Sequence, residues 1–395
     1  MQKKCKILTF SFVLVILLIS FTCFATIWYV DPLKLIHKPF MCKDTSYDNV
    51  NFVVKNLIDN EDYDSIILGT SLLSNTSAKE ANKVFGGKFL NVSIWGTLTN
   101  EKITILDYIS KNKKINTVIM SLDQGSKPLA ENNFISLNKE VISTYNFTIF
   151  DALKIYLQNK HLKHIFNFSC ENTKINKDTP TTWTYNESIS NRLGGFEKWA
   201  SINIVQVVNI NNTLKDATEK ISKEEFSYLD YDFNKEYLDK NLLDVFRKYP
   251  DTQFILIIPP YFIAQNAIYF QVYKNFENAQ KSSLFYLIKQ KPSNVKIYGF
   301  DDMDFVSDVA NYYDLIHFSP KISSDILGFV KNDIGLLEEE NFEQYWSEFA
   351  NKSREFNLKD FYEKFLVQSI SFSLDYSGTM SISSSNINNL SFTNR

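Results

Sequence analysis

A serine, an aspartate and a histidine of the types needed for nucleophilic acyl transfer stand at the ends of apolar runs in this chain. Ser71 closes the stretch Ser65-Ile66-Ile67-Leu68-Gly69-Thr70-Ser71. A serine at a strand-to-helix junction carries a hydroxyl nucleophile and a backbone N–H left unbonded by the first helical turn. The same residue can then attack a carbonyl and help bind the resulting oxyanion. His317 is one of 4 histidines, and Asp314 precedes it by three residues. One loop can therefore supply a general base and the carboxylate that orients it and stabilises its protonated form. Gly96 follows Phe89–Ile94 and offers a second N–H to an oxyanion. Asp123 and Gln124 follow Thr117–Leu122; the Gln124 amide could donate to an oxyanion, whereas an ionised Asp123 would repel one. Taken singly, each residue has a plainer reading: an N-capping serine, a surface Asp/His pair, a turn glycine. Their convergence carries the weight.

The elements that must position these residues follow from the apolar pattern. Ser65–Leu68, Phe89–Ile94, Thr117–Leu122, Gln253–Ile258 and Val295–Phe300 are short and apolar on both faces, which predicts strands of a parallel sheet covered on both sides. Leu98–Lys111, Tyr237–Lys248, Ala264–Lys289 and Ile322–Asn332 carry apolar residues at helical spacing. Alternating strands and helices with right-handed crossovers predict an α/β fold, a three-layer α/β/α sandwich. In such sheets functional groups collect at the carboxyl ends of the strands, where the punctuation above falls. This domain occupies residues 61–335, with its core in 61–125 and 245–335. The intervening 126–244 breaks the rhythm. It holds an amphipathic piece near Phe150–His164 and the stretch Arg192-Leu193-Gly194-Gly195, and is too long for a structureless loop, so an inserted subdomain or lid is expected. Residues 336–395 show one helical pattern, Phe342–Phe365, and then a Ser/Asn-rich tail with the composition of a disordered segment.

Ile7–Val30 contains no charged residue. As a helix it spans about 36 Å, enough to cross a hydrocarbon core of about 30 Å with some tilt. Lys3, Lys4 and Lys6 precede it and keep the N-terminal side cytoplasmic, while Trp28 and Tyr29 stand at the far end, where amphipathic rings favour the interface. The expectation is a single-pass anchor (1–30) in the cytoplasmic, or inner, membrane, a juxtamembrane segment (31–60) and an extracytoplasmic, periplasmic domain. A cleaved signal sequence cut near Ala25 is the alternative; the long apolar run and the flanking Cys23 and Phe24 count against it. Net charge is -3, with Lys interleaved among acidic residues, which gives no basic stripe for nucleic acid. The 4 cysteines show no metal-ligand spacing, so no metal and no cofactor is expected. A disulfide between Cys42 and Cys170 stays open, since the sequence gives no proximity. No GxSxG elbow, P-loop or dinucleotide fingerprint occurs.

Gly69-Thr70-Ser71 after the first strand, Gly96 after the second and Asp314-x-x-His317 before the last helix resemble, in order and spacing, blocks I, II and V of the SGNH (GDSL-like) hydrolase superfamily. The resemblance covers roughly 61–125 and 245–335. It implies a flavodoxin-like parallel sheet, Ser71 as nucleophile, His317 as base, Asp314 as its orienter, and the Ser71 and Gly96 N–H groups as an oxyanion hole. Two positions depart from the pattern. Thr70 stands where many members carry Asp. The block III asparagine is absent from Ser121-Leu122-Asp123-Gln124, leaving Gln124 as the available donor and Asp123 as the substitute at that position. Loss of one oxyanion donor costs about 3–4 kcal/mol. Single-anchor chains with GTS for GDS resemble bacterial envelope proteins that move or remove acyl groups, mostly acetyl, on surface polysaccharides. The implied activity is that of a serine esterase or O-acetyltransferase. The implied partners are an envelope polysaccharide or other acylated glycan and a membrane-bound acyltransferase. The missing asparagine and the large insertion support a second expectation, a non-catalytic scaffold or carbohydrate-binding subunit that works with such an acyltransferase.

Overall fold

The computed structural model describes residues 2–31, 35–37, 40, 50–123, 144–145, 148–158, 175–183, 193, 195, 198–199, 204–229 and 232–376. The expectations for Gln124, the Cys42/Cys170 pair, the amphipathic piece beyond residue 158 and the tail beyond 376 lie outside these residues.

Helix α1 (Gln2–Val30) stands apart, with Ile7–Ile19 exposed along its length. Its stretch Ile7–Val30 is long and apolar enough to cross a membrane. Helix α2 (Val50–Asn60) then leads into β1 (Ser65–Leu68). There follow α3 (Ala78–Phe85), β2 (Phe89–Asn91), α4 (Thr99–Ser110) and β3 (Thr117–Ser121). The segment between β3 and β4 contributes α5 (Ile149–Tyr156) and α6 (Ile204–Ser222), then α7 (Lys235–Leu238) and α8 (Asp244–Lys248) joined by a π-helical turn. The chain continues through β4 (Gln253–Ile257), α9 (Ile263–Val272), α10 (Phe276–Gln290) and β5 (Val295–Tyr298). It ends with α11 (Pro320–Lys331), α12 (Glu339–Glu355) and α13 (Leu358–Tyr376).

The five strands form one sheet, all parallel, in the order β2-β1-β3-β4-β5. Period-two alternation sorts their side chains between two cores. Ile66, Leu68, Val118, Met120, Phe254, Leu256 and Ile297 face α2, α4, α7, α8, α10 and α12. Ile67, Ile119, Ile257 and Tyr298 face α3, α6, α9, α11 and α13. Strands covered on both sides need apolar residues at every position, and this is why SIIL and QFILI carry no polar alternation. The strand order reverses direction between β1 and β3. At such a switch point the crossovers leave to opposite faces and open a crevice at the carboxyl ends.

Two long helical patterns prove to be broken. Ala264–Lys289 divides into α9 and α10 because the 227–229 backbone takes over the bonds at the break. Ser227 N–H donates to the Val272 carbonyl (2.9 Å), Lys274 N–H donates to that of Ser227 (3.1 Å), and the Asn275 side chain grips Leu229. The 342–365 pattern divides into α12 and α13. The Gln271 amide donates to the carbonyls of Ser353, Arg354 and Phe356, and Asn357 caps the next helix by accepting from Asp360 N–H. Helices α2 and α3 do not appear in the expected pattern at all; α3 is set by Ser77, whose hydroxyl accepts from Glu80 N–H.

Ile119 sits on the central strand with no exposed surface. We expect Ile119→Ala to destabilise the detergent-solubilised chain by about 2–5 kcal/mol, read as a lowered urea midpoint at unchanged slope.

Candidate active site

The turn after β1 is built on close approaches. A side chain at Gly69 would place its Cβ 2.7 Å from that of Leu73, so this position needs glycine for the chain to double back over itself. Gly69 N–H donates to Ser93 Oγ at 3.0 Å, and Ile94 N–H donates to the Gly69 carbonyl at 3.0 Å. Asn91, fully buried in β2, donates its amide to the carbonyls of Leu73 and Thr76, both at 2.8 Å. These bonds hold residues 71–75 as consecutive turns, so Ser71 does not open a helix as expected; the next helix begins at Ala78. Among the described residues, the Ser71 N–H makes no hydrogen bond, and neither does the Gly96 N–H. Gly96 lies in the turn beyond β2 at φ +69, a left-handed conformation that disfavours other residues.

The loop from Tyr312 to Ser319 carries the other two groups. Tyr313 N–H donates to the His317 carbonyl (2.9 Å), Ser319 N–H to that of Asn311 (2.9 Å) and Phe262 N–H to that of Leu315 (3.2 Å). Below it, buried Tyr312 donates its hydroxyl to the Pro260 carbonyl (3.1 Å), and Trp199 donates its indole N–H to the Tyr312 carbonyl (2.7 Å). Ser319 and Pro320 then start α11 as N-cap and first helical residue.

The two ends meet. Ser71 Oγ lies 2.9 Å from His317 Nε2, and His317 Nδ1 lies 2.7 Å from Asp314 Oδ2. The other carboxylate oxygen, Oδ1, accepts from the N–H groups of Ile316 (2.8 Å) and His317 (2.7 Å), which fixes the aspartate. With Asp314 accepting at Nδ1, the neutral imidazole carries its proton there and presents Nε2 to the serine. Burial pushes the Asp314 carboxyl up; the His317 charge and the hydrogen bonds from its ring and from the 316 and 317 N–H groups outweigh this and hold it below its ordinary 3.8. Burial lowers His317, but the Asp314 charge and hydrogen bond overcome it and hold the imidazole above 6.5.

Asp123 does not stand as a free repelling charge. It is 2 % exposed: Oδ1 accepts from Thr70 Oγ1 at 2.9 Å, and Oδ2 pairs with Lys102 and accepts from Ser121 Oγ at 3.0 Å. Lys102 is also buried and donates to the Ser121 carbonyl at 2.9 Å and to Ser121 Oγ at 3.0 Å. An aspartate so committed donates nothing to an oxyanion, but it fixes Thr70, the neighbour of Ser71. Lys102 was legible in part: it shares a helical face with Ile105, Leu106 and Ile109, where a lysine demands a buried partner. Asn91, polar inside an apolar strand, carried the same kind of signal.

Trp183 gave no such signal. It donates its indole N–H to the Ser71 carbonyl at 2.8 Å and lies edge-to-face with both His317 (5.1 Å) and Tyr313 (4.6 Å). Residues 178–183 pass over the strand ends, where Asp178 binds Ser77 and Lys79, Thr181 binds Ser93 and Trp95, and Thr182 binds Asn75. Among the described residues no group of three or more His, Cys, Asp or Glu could hold a metal ion. No protein-family profile matches the chain, and no curated protein matches its sequence.

Two outcomes are expected. Lys102→Met strands a buried carboxylate and should cost about 3–5 kcal/mol, with Lys102→Met/Asp123→Asn recovering much of it, both read by urea unfolding. The His317–Asp314 pair contributes stability that is full below pH 6.5 and is lost as pH rises through the raised His317 value. At the acid end it is lost as pH falls through the lowered Asp314 value. Subtracting the unfolding free energy of His317→Gln from that of the native chain should expose the alkaline decline.

Proposed function

We propose that this chain is an extracytoplasmic serine acyl-hydrolase or O-acyltransferase of the SGNH type, anchored by α1 and acting on acyl esters, chiefly acetyl, of an envelope polysaccharide or other acylated glycan. The observation that carries this reading is the hydrogen-bonded series Ser71 Oγ–His317–Asp314, at 2.9 and 2.7 Å. It stands at the carboxyl edge of a parallel sheet whose 2-1-3-4-5 order the same reading requires. The working partner is a membrane-bound acyltransferase, and no cofactor enters the chemistry.

In this mechanism Ser71 Oγ attacks the ester carbonyl while its proton passes to His317 Nε2. The Asp314 carboxylate stabilises the imidazolium without taking its proton. The N–H groups of Ser71 and Gly96 receive the oxyanion. Collapse breaks the ester C–O bond, and His317 returns its proton to the departing alkoxide, leaving an acyl-Ser71. Water or a sugar hydroxyl then attacks that carbonyl and gives its proton to His317, releasing an acid or a new ester and restoring the serine.

The commitment of Asp123 to Lys102 and Thr70 favours a second reading, a catalytically weak scaffold or carbohydrate-binding partner of a membrane acyltransferase, because that position supplies no oxyanion donor.

A fluorophosphonate should label the full-length protein at Ser71 and fail on Ser71→Ala; no labelling of the native protein, or equal labelling of both, leaves only the scaffold. Asp314→Asn should lower turnover of an acetyl ester by about 10⁴-fold. Because the base works as neutral imidazole, the rate should rise with pH through a value above 6.5.

A further inference from the structure

We propose that α5 lies in the lipid–water interface beside the anchor and turns the Ser71 edge of the sheet towards the bilayer. This rests on reading Ile7–Val30 as a membrane-crossing helix. Where that helix ends, Asp31 is fully buried and gathers the chain around itself. Its Oδ1 accepts from Leu35 N–H at 3.0 Å and from the Tyr156 hydroxyl of α5, and its Oδ2 accepts from the N–H groups of Ile36 and His37, both at 3.0 Å. Ile27 of α1, Leu35, Phe52 of α2, and Ala152 and Tyr156 of α5 form one apolar cluster around this carboxylate. Helix α5 is thereby fixed against the last turn of α1, at the depth where a crossing helix leaves the hydrocarbon.

The other side of α5 carries what such a depth requires. Phe150 is 71 % exposed and Leu157 65 %. With Lys154 between them at helical spacing, exposed and paired at the surface with Asp151 (3.2 Å), they form one stripe of two apolar residues and a cation. That is the composition of a segment lying in the headgroup region, its lysine reaching anionic phosphates while its stem follows the apolar surface. Trp28, Tyr29 and Phe40 are exposed at the same level, with Trp28 packed on His37 and Tyr29 stacked on Phe40, and they extend the stripe into an aromatic belt.

Helix α2 sets the direction of the site. Its far end adjoins the amino ends of the strands, where Lys113 donates to the Glu61 carbonyl at 2.6 Å and Asn116 N–H to that of Asp64 at 2.7 Å. From there α2 runs back towards the carboxyl ends for about 16 Å, and Phe52, near its start, touches the anchor cluster. The carboxyl edge, which bears Ser71 and His317, therefore faces the membrane side. The candidate site then suits an acyl donor or acceptor that stays at the bilayer surface.

The test places an environment-sensitive fluorescent amino acid in full-length protein at Leu18, Phe150 or Lys114, in nanodiscs of phosphatidylcholine and phosphatidylglycerol with or without brominated acyl tails. Lys114 is an exposed residue just ahead of β3, at the opposite edge of the sheet. Bromine should cut the emission at 18 and at 150 to about half or less and leave 114 unchanged. Quenching at 18 without quenching at 150 overturns the interfacial placement of α5 and leaves the anchor standing. Absence of quenching at 18 overturns the anchor and the inference with it, and quenching at 114 overturns the orientation. Labelling of Ser71 by a fluorophosphonate is independent of all three.

Discussion

Two charges sealed beneath the strand ends set the geometry on which the candidate site depends. Lys102 and Asp123 are 1 % and 2 % exposed, and they pair between α4 and the end of β3. A buried ion pair is tolerated only when the remaining donors and acceptors of both groups are met. Here Ser121 satisfies the ammonium twice and the carboxylate once, and Thr70 takes the last oxygen. Few arrangements of α4, the end of β3 and the turn after β1 meet all those bonds together. Ser71 follows Thr70 directly and inherits its place from them. Threonine in place of the aspartate of the resembled motif has a local reason as well: a hydroxyl donates to Asp123, and a second carboxylate would not.

Ser71 and His317 are 246 residues apart in sequence, so their approach to 2.9 Å depends on the sheet and on what ties its ends together. Trp199 holds the histidine loop from below through the Tyr312 carbonyl, and Trp183 reaches from above to the Ser71 carbonyl while packing against His317. Both tryptophans come from the segment between β3 and β4. That segment is thus a structural part of the site as well as a cover for it.

Where the apolar helix α1 ends, Asp31 plays a comparable role. A fully buried carboxylate just beyond an apolar helix collects hydrogen bonds from three backbone N–H groups and from Tyr156. These bonds tie the end of α1 to α5 and, through the shared apolar cluster, to α2.

The sequence by itself determined the strands, their parallel class, the apolar N-terminal helix and the candidates Ser71, Gly96, Asp314 and His317. Apolar runs buried on both sides and polar residues at their ends are local properties, written in neighbouring positions. Its misses have a common physical cause. The break at Tyr273 depends on the backbone of residues 227–229, and the break at Phe356 on the Gln271 side chain, neither of which a local helical period records. The free N–H of Ser71 was expected from a helix start and arises instead from a run of turns stapled by Asn91. Asp123 read as a repelling charge because its partner, 21 residues earlier on α4, is a neighbour only in space. Trp183 carries no mark in the sequence of its contact with the site. Only the tertiary structure decided these points, because the energy of a buried charge or an indole N–H is set by what surrounds it in three dimensions.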